Sequence, residues 1–573
     1  MKRRTFLIHC GAALTTAACS SKSSKDKPDS GVHPSDDASH PDASHSDATH
    51  TDVDIPDAGV EQPWQLPPGH YQGYFPLHLI YPRPDEETET YARHRHAYPG
   101  LLYEIPLGVQ FGKWPYRYEL LEGPAGAFIV HETLQWNGED RFLVPEGYGV
   151  VAWNTPEDAP AGPHAFRVRV YDQDHERPDP SFVDITWNVT VGVEQFIFLD
   201  TLGGDDATAD GSIDRPFREI ASLLESGLAG DKICYIRQTD LFDPDISTFS
   251  GGYVPNPPHR LRYGSAGEPK AYVAFPGETV HINTAAQSGF ASSSGTNYDV
   301  FFDRLVTGFT NQTDKDRDNV RVIFNSHRSR RSTFWRMGCI RAYGGNRKDD
   351  NHGFIWYWRA GGNVEDSSGH YYLYCADCWM DSMNVDPGPD AAFEGVGSNG
   401  AHLWETYTTN RTLAERHEVT NSIIVNNGFV INKGSARDGE IRACVSVKGN
   451  TGNYHIRALG SDLDGETQRV TLCYNRTGGP ENTNGRVSMG QAGANPPYTD
   501  IIAYRNSCAG DISAASAEDA DSHAYDNIAA SIHSNVKNSS GNIEHGGDFN
   551  DIFDDEMHLL DPSLLGTKGA DVA

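Results

Sequence analysis

No apolar run in the 573 residues reaches the length of a membrane-spanning helix, so the mature chain is not expected to span a bilayer. Basic residues are scarce: 47 Lys and Arg stand against 79 Asp and Glu, a formal net charge of −32. That balance argues against nucleic acid as a partner. It also opposes long-range attraction of a polyanionic chain unless a local basic groove overrides it. Cysteine is sparse and unpaired in pattern. Two of the nine, Cys10 and Cys19, fall in the first twenty residues, and the remaining seven are an odd, scattered set that makes no disulfide framework. An exported location permits disulfides without requiring them. With 57 Gly and 33 Pro, many turns and short strands are expected rather than helices. The length exceeds one ordinary core, so two or three domains are expected, with no sign of obligatory self-association: a monomer.

Met1-Lys-Arg-Arg-Thr-Phe-Leu places two arginines before an apolar stretch, Phe6 to Ala18, the layout of an export signal. Arg3-Arg4-Thr5-Phe6-Leu7 resembles a twin-arginine signal, and Thr16-Ala17-Ala18-Cys19 resembles a lipobox. The lipobox resemblance implies a signal peptide over 1–19 and lipidation of Cys19, which attaches the chain to a membrane. Ser20, rather than Asp, follows the cysteine and by the same resemblance implies outer-membrane sorting, periplasmic or surface-exposed. Residues 20–63 are Ser, Asp, His, Pro, Ala and Thr with almost nothing apolar. They cannot bury enough surface to offset the entropy of ordering and read as a disordered tether. His33, His40, His45 and His50 recur within it. A solvated spacer is favoured over a metal-binding tract, because a flexible segment bears the whole ordering cost on binding.

Over 64–194 the character changes. Ala165-Phe-Arg-Val-Arg-Val-Tyr171 and Phe182-Val-Asp-Ile-Thr-Trp-Asn-Val-Thr190 alternate apolar and polar residues between Gly/Pro/Asp turns, the pattern of an antiparallel β-sandwich. Gly149-Val-Val-Ala-Trp-Asn-Thr-Pro156, with Gly162 and His164 to Asp172, resembles immunoglobulin-type, cadherin-like modules of bacterial surface proteins. The resemblance implies a spacer or a carbohydrate-binding accessory. Asp172, Asp174 and Glu176 offer oxygens to calcium or form an ordinary acidic loop.

From Phe198 the order is strand, Gly/Asp-rich loop, Arg215-Pro216-Phe217, a helix over 218–228, Gly230-Asp231 and a second strand, Lys232 to Arg237. This resembles the opening of a right-handed parallel β-helix of the pectate-lyase-like kind. The resemblance implies a solenoid over 195–547, its open end covered by the 218–228 helix, and a C-terminal cap and tail over 548–573. The expected fold class is all-β: a right-handed parallel β-helix, pectin-lyase-like, preceded by a small antiparallel sandwich. Asp205, Asp206 and Asp210 are expected to form turns.

Stacked coils should repeat turn residues in register. Asn325, Asn426, Asn450, Asn475, Asn506 and Asn527 each follow a strand. Three residues before them stand Val322, Ile423, Val447, Leu472, Ala503 and Ala524, all apolar. Asp381 fits the same turn position. The period predicts about ten coils.

These columns put Arg321, Asp377, Trp379, Lys448, Cys473 and Tyr504 outward on one face, a mixture of aromatics and charges that suits a sugar chain. Lyases of this fold abstract a proton α to a uronate carboxylate, which requires a base and a positive charge or calcium. By resemblance to chondroitinase- and alginate-lyase-type enzymes, Lys433 and Arg437 are the base and the neutraliser. Asp377, Asp381 and Asp386 are the acids expected to hold Ca2+. His402 and His417 lie in the long interruption 384–417 and are read as substrate contacts. Polygalacturonase-like hydrolases require an Asn-x-Asp, an Asp-Asp and a Gly-His-Gly. Here Tyr371 replaces the closing glycine after Gly369-His370, which disfavours that reaction. Arg328, Arg330, Arg331 and Arg336 could grip an acidic chain or pair with Asp314, Asp316 and Asp318. Cys375 and Cys378, three apart on a strand, are expected outward and inward respectively, which denies them a shared zinc. The expectation is an exported envelope lipoprotein that binds acidic polysaccharide and cleaves it by β-elimination. The alternative is a non-catalytic glycan-binding or adhesion protein.

Overall fold

Period-two alternation produces the first layer in the way the sequence suggests. In the computed structural model the described residues lie between Phe75 and Ala570; the stretches 83–92, 131–148, 173–181, 238–268, 309–321, 341–352, 361–369 and 382–400, with shorter ones, fall outside them. Strands Gly162–Tyr171 and Phe182–Val191 bury Phe166, Val168 and Val170 and Ile185, Trp187, Val189 and Val191, and leave the alternate positions exposed or half-buried. They pair in a four-stranded sheet that packs against a three-stranded one, Leu102–Pro106, Val150–Asn154 and Ala127–Val130. Trp187 stacks on Phe166 at 5.0 Å, and its indole N–H donates to the Tyr103 hydroxyl at 3.0 Å, so the one polar atom of that buried ring is satisfied.

From Phe196 onward the pairing is parallel and the chain is a parallel β-helix. Among the described residues three long sheets run along it, of fifteen, ten and eight strands. The ten-stranded sheet takes one short strand per coil, from Val280–Asn283 to Ile543–Glu544, which matches the expected number of coils. In the fifteen-stranded sheet the register stacks Ile197, Cys234, Tyr272, Phe302, Phe334, Cys375, Val419, Ile441, Leu472, Ala503 and Ala524 into one column. All but Val419, whose side chain is not described, belong to a single buried core. Tyr272, Phe302 and Phe334 stack at 5.8 and 5.1 Å, aromatic on aromatic, up the interior.

The opening loop behaves as turns. Asp200 accepts from the N–H groups of Leu202 and Gly203, Asp205 from Ala207, and Asp210 from Ser212. Asp206 accepts from the N–H groups of Arg218 and Glu219, at 2.9 and 3.1 Å, and so ties down the two residues that lead into the helix Ile220–Glu225. Ile220 and Leu223 of that helix are buried on the solenoid core.

Eight of the described coils leave the fifteen-stranded sheet through one residue with left-handed backbone: Arg304, Arg336, Asp377, Ala443, Tyr474, Arg505, Asp526 and Gly541, with φ between 48° and 69°. The next residue points inward: Leu305, Met337, Cys378 and Cys444 in the upper coils, then Asn475, Asn506 and Asn527. The last three form a ladder with Asn542, each side-chain amide donating to the next one's oxygen at 3.0, 2.9 and 2.9 Å. Two expectations are corrected here. Asn325 belongs to strand Val322–Ser326 of the eight-stranded sheet, and Asp381 to Trp379–Asp381 of the ten-stranded sheet, so neither sits at this corner. Cys375 faces inward with Cys378 rather than outward, because the corner falls between them and breaks strand alternation. Asn426 and Asn450 lie outside the described residues.

Removing the middle of the ladder should be costly. Asn506→Ala strips the acceptor from Asn475 and the donor from Leu472 and Asn527 in a fully buried site, an expected loss of about 3 kcal/mol. Asn542→Ala, at the half-buried end where water can substitute, is expected to cost about 1 kcal/mol. Urea denaturation of both variants, read as a shift in midpoint at constant slope, checks the ordering.

Candidate functional site

The outward face of the fifteen-stranded sheet is not an open groove. Its outward column, Phe198, Tyr235, Val273, Asp303, Trp335, Ala376, Thr420, Arg442, Cys473 and Tyr504, is buried along its length. The sandwich lies on it. Phe196, Phe198, Tyr235, Trp335 and Tyr374 share one apolar cluster with Ile80 and Val150. Cys473, Tyr474, Ile502 and Tyr504 share another with Phe111, Trp114 and Tyr116. Tyr504 is therefore corrected from a sugar contact to an interface residue, 5% exposed and packed edge-on to Tyr474, whose ring meets Trp114 at 4.9 Å. Asp377 is corrected likewise: it is 4% exposed and accepts the Trp335 indole N–H at 3.0 Å, which withdraws it from any open calcium site.

Charge is buried at this interface only where it is matched. Arg336 forks onto Asp303, with its Nε donating to Oδ1 at 2.7 Å, and donates from Nη1 to Glu104 Oε2 at 3.3 Å. Arg304 donates to the same Glu104 oxygen at 2.9 Å. Two arginines and two carboxylates make a neutral set. Burial pushes the Glu104 carboxyl up, but the two guanidiniums outweigh it and hold it below its ordinary 4.5. Lower down, Glu440 accepts the Phe111 N–H at 2.7 Å and Arg442 donates to the Val109 carbonyl at 3.0 Å, so solenoid side chains satisfy sandwich backbone. Burial pushes Glu440 upward. Arg336 thus ends in the interface, not in a basic patch, and its acidic partners are Asp303 and Glu104.

Chemistry-bearing residues away from this interface gather at the opposite edge of the same sheet, where the eight-stranded sheet hands over to it. A single residue separates strand Gly428–Lys433 from Ser435–Arg442. Lys433 pairs in register with Tyr407, which pairs with Arg359; Arg437 pairs with Glu415, which pairs with Tyr371. The register column Val430, Ile456, Val487 and Ile512 is apolar, its last three members lie in the core, and Met489, two residues on from Val487, is buried too. Of the other expected site residues, His417 pairs with Gly439 in this sheet, whereas His402 stands at the start of Ala401–Thr408 beside Phe354 and Phe429. Trp379 and Asp381 lie in the ten-stranded sheet. Cys19, Arg321, Asp386 and Lys448 lie outside the described residues.

One cluster went unnoticed in the sequence. Asp500, Asp521 and His523 bring a ligand atom each within 4.8 Å of one another. Asp500 carries left-handed backbone at φ 56°, and the Ile501 N–H donates to the Asp521 carbonyl at 3.0 Å, which sets the two acids side by side on adjacent coils. His523 Nε2 stands 3.2 Å from Asp521 Oδ1, and the Lys537 ammonium 3.0 Å from the same oxygen. Burial lowers the His523 pKa below its ordinary 6.5 despite the opposing pull of Asp521 and Asp500. The acids come from adjacent coils, 21 positions apart, so no motif spacing announces them.

No family model matches the sequence, and no curated protein matches it significantly. Among solved structures, the native GH136 lacto-N-biosidase from Eubacterium ramulus is similar at a TM-score of 0.31 and 11% identity, over 61% of this chain and 68% of that one. The assignment of the β-helix here rests on its own strand pairing.

The matched charges predict a pH signature. A carboxyl held below its ordinary value stabilises the fold above about pH 4.5 and loses that contribution as pH falls through its folded-state value. Glu104→Gln is expected to cost about 3 kcal/mol at neutral pH, because it strands two buried guanidiniums. The stability difference from wild type should shrink steadily below pH 4.5. Denaturant midpoints of both proteins across pH 3–7 measure it.

Proposed function

We propose that the chain is an exported, lipid-anchored envelope protein whose β-helix binds an acidic polysaccharide and cleaves it by β-elimination at the corner between Gly428–Lys433 and Ser435–Arg442. One observation carries this reading: parallel register sets Lys433 beside Tyr407 and Arg437 beside Glu415 at a single sheet junction, with neighbouring strands about 4.8 Å apart. Arg437 neutralises the uronate carboxylate, which acidifies the adjacent C–H. The Lys433 amine takes that proton, the freed electron pair forms the carbon–carbon double bond, and the glycosidic C–O bond breaks. The departing oxygen takes a proton from the Tyr407 hydroxyl. Burial of Asp377 against Trp335 supports giving the neutralising role to the arginine.

The elimination product absorbs in the ultraviolet, which makes the test direct. A panel of uronate polysaccharides is expected to yield an unsaturated product with the wild type. Arg437→Ala and Lys433→Ala are each expected to lower the rate at least a hundredfold, within the usual range for an acid–base group. Retention of a glycan on an affinity gel with no product from any polymer would replace the lyase by the non-catalytic binder.

A further inference from the structure

The Asp500, Asp521 and His523 cluster is built as a ligand set rather than as an incidental group of charges. His523 is 2% exposed and stacks on the Tyr525 ring at an interplanar angle of 12°. Its far nitrogen, Nδ1, lies 2.9 Å from the Asn538 side-chain amide and 3.3 Å from the Tyr525 hydroxyl. The imidazole is therefore held from behind by two polar partners and a ring, while Nε2 is presented to the carboxylates. Partners on the outer nitrogen fix the orientation and tautomer of metal-binding histidines in the same way. An Asn538 amide turned to present its oxygen, or the Tyr525 hydroxyl as acceptor, holds the proton on Nδ1 and makes Nε2 the ligating nitrogen.

The geometry points to a divalent transition-metal site formed by His523 Nε2 and one carboxylate oxygen each from Asp500 and Asp521. Bonds of about 2.1 Å in tetrahedral arrangement need donor atoms about 3.4 Å apart. The present spacing, within 4.8 Å, closes to that by small side-chain rotations. A nitrogen donor selects zinc-like ions over calcium, which takes oxygen ligands. Both acids are only half-buried, so a fourth position is open to water or to an oxygen ligand. Lys537, 58% exposed at the side chain, holds Asp521 from the solvent side and competes with the ion for it. This site stands independently of the cleavage chemistry at Lys433 and Arg437.

Calorimetric titration of the full chain with Zn2+ tests it. Any uptake by histidines of the N-terminal tether is common to every variant, so the difference between proteins isolates this site. Wild type is expected to bind one Zn2+ more than His523→Gln and than Asp500→Asn. Asparagine tolerates left-handed backbone, which keeps the second variant folded even where the first is not. Lys537→Met, at an exposed position, is expected to bind that extra ion severalfold more tightly. Equal stoichiometry in wild type, His523→Gln and Asp500→Asn overturns the site.

Discussion

From Asp303 onward, the described coils turn out of the fifteen-stranded sheet through a single residue held in left-handed backbone, and most of the architecture follows from that corner. For a side chain other than glycine the conformation costs roughly 1–2 kcal/mol. Each instance is compensated in the same way: the corner N–H donates to the coil below, Arg336 to Ala376, Ala443 to Cys473, Tyr474 to Tyr504, Arg505 to Tyr525. The hydrogen-bond ladder therefore runs through the turn instead of stopping at it. A one-residue corner also fixes direction, with its own side chain out and the following one in. Two columns of opposite chemistry result, one feeding the interface with the sandwich and one filling the core.

The outward column explains how an acidic chain buries charge. Arg304 and Arg336 leave successive corners on the same side and converge on Glu104 of the sandwich, while Asp303 closes the set from the strand. An unpaired member of this group would cost several kcal/mol, so the sandwich has one position in which all four are satisfied. Further down the corners supply Tyr474 and Arg505, and the contact becomes aromatic, with Trp114 against Tyr474. The inward column changes in parallel. Leucine, methionine and cysteine fill the upper corners, asparagine the lower ones, where Cys444 donates its backbone N–H to Asn475 and starts the ladder.

The solenoid was legible because its inward column is apolar without exception where it counts: Leu472, Ala503 and Ala524 were placed in register from sequence and do stack. Other parts were not, for physical reasons. A coil has three strands, and an asparagine after any of them looks the same in sequence, so Asn325 was assigned to the wrong sheet. Alternation tells inward from outward but cannot tell water from another domain. Tyr504 and Asp377 were read as groove residues because both are outward, yet the same face carries Phe198, Tyr235, Trp335, Tyr374 and Ile502, too much apolar surface to leave in water. The cysteine pair misled through the corner, since strand alternation does not continue across a left-handed residue. Lys433 and Arg437 were found as a spacing, but their partners Tyr407 and Glu415 come from the previous coil and needed the register.

The two ends of the fifteen-stranded sheet are consequently unequal. The ends of its strands that run into the corners are committed to the sandwich and to stability. At the ends where its strands begin, Arg437 pairs with Gln468 and Gln468 with Thr499, next to Asp500, so one line of register leads from the arginine to the acid and imidazole cluster. With strands about 4.8 Å apart, Arg437 and Asp500 stand roughly 10 Å from each other along the solenoid axis. Covering the broad face of the sheet with the sandwich buries its outward column, so an outward position there is an interface position, not a groove position.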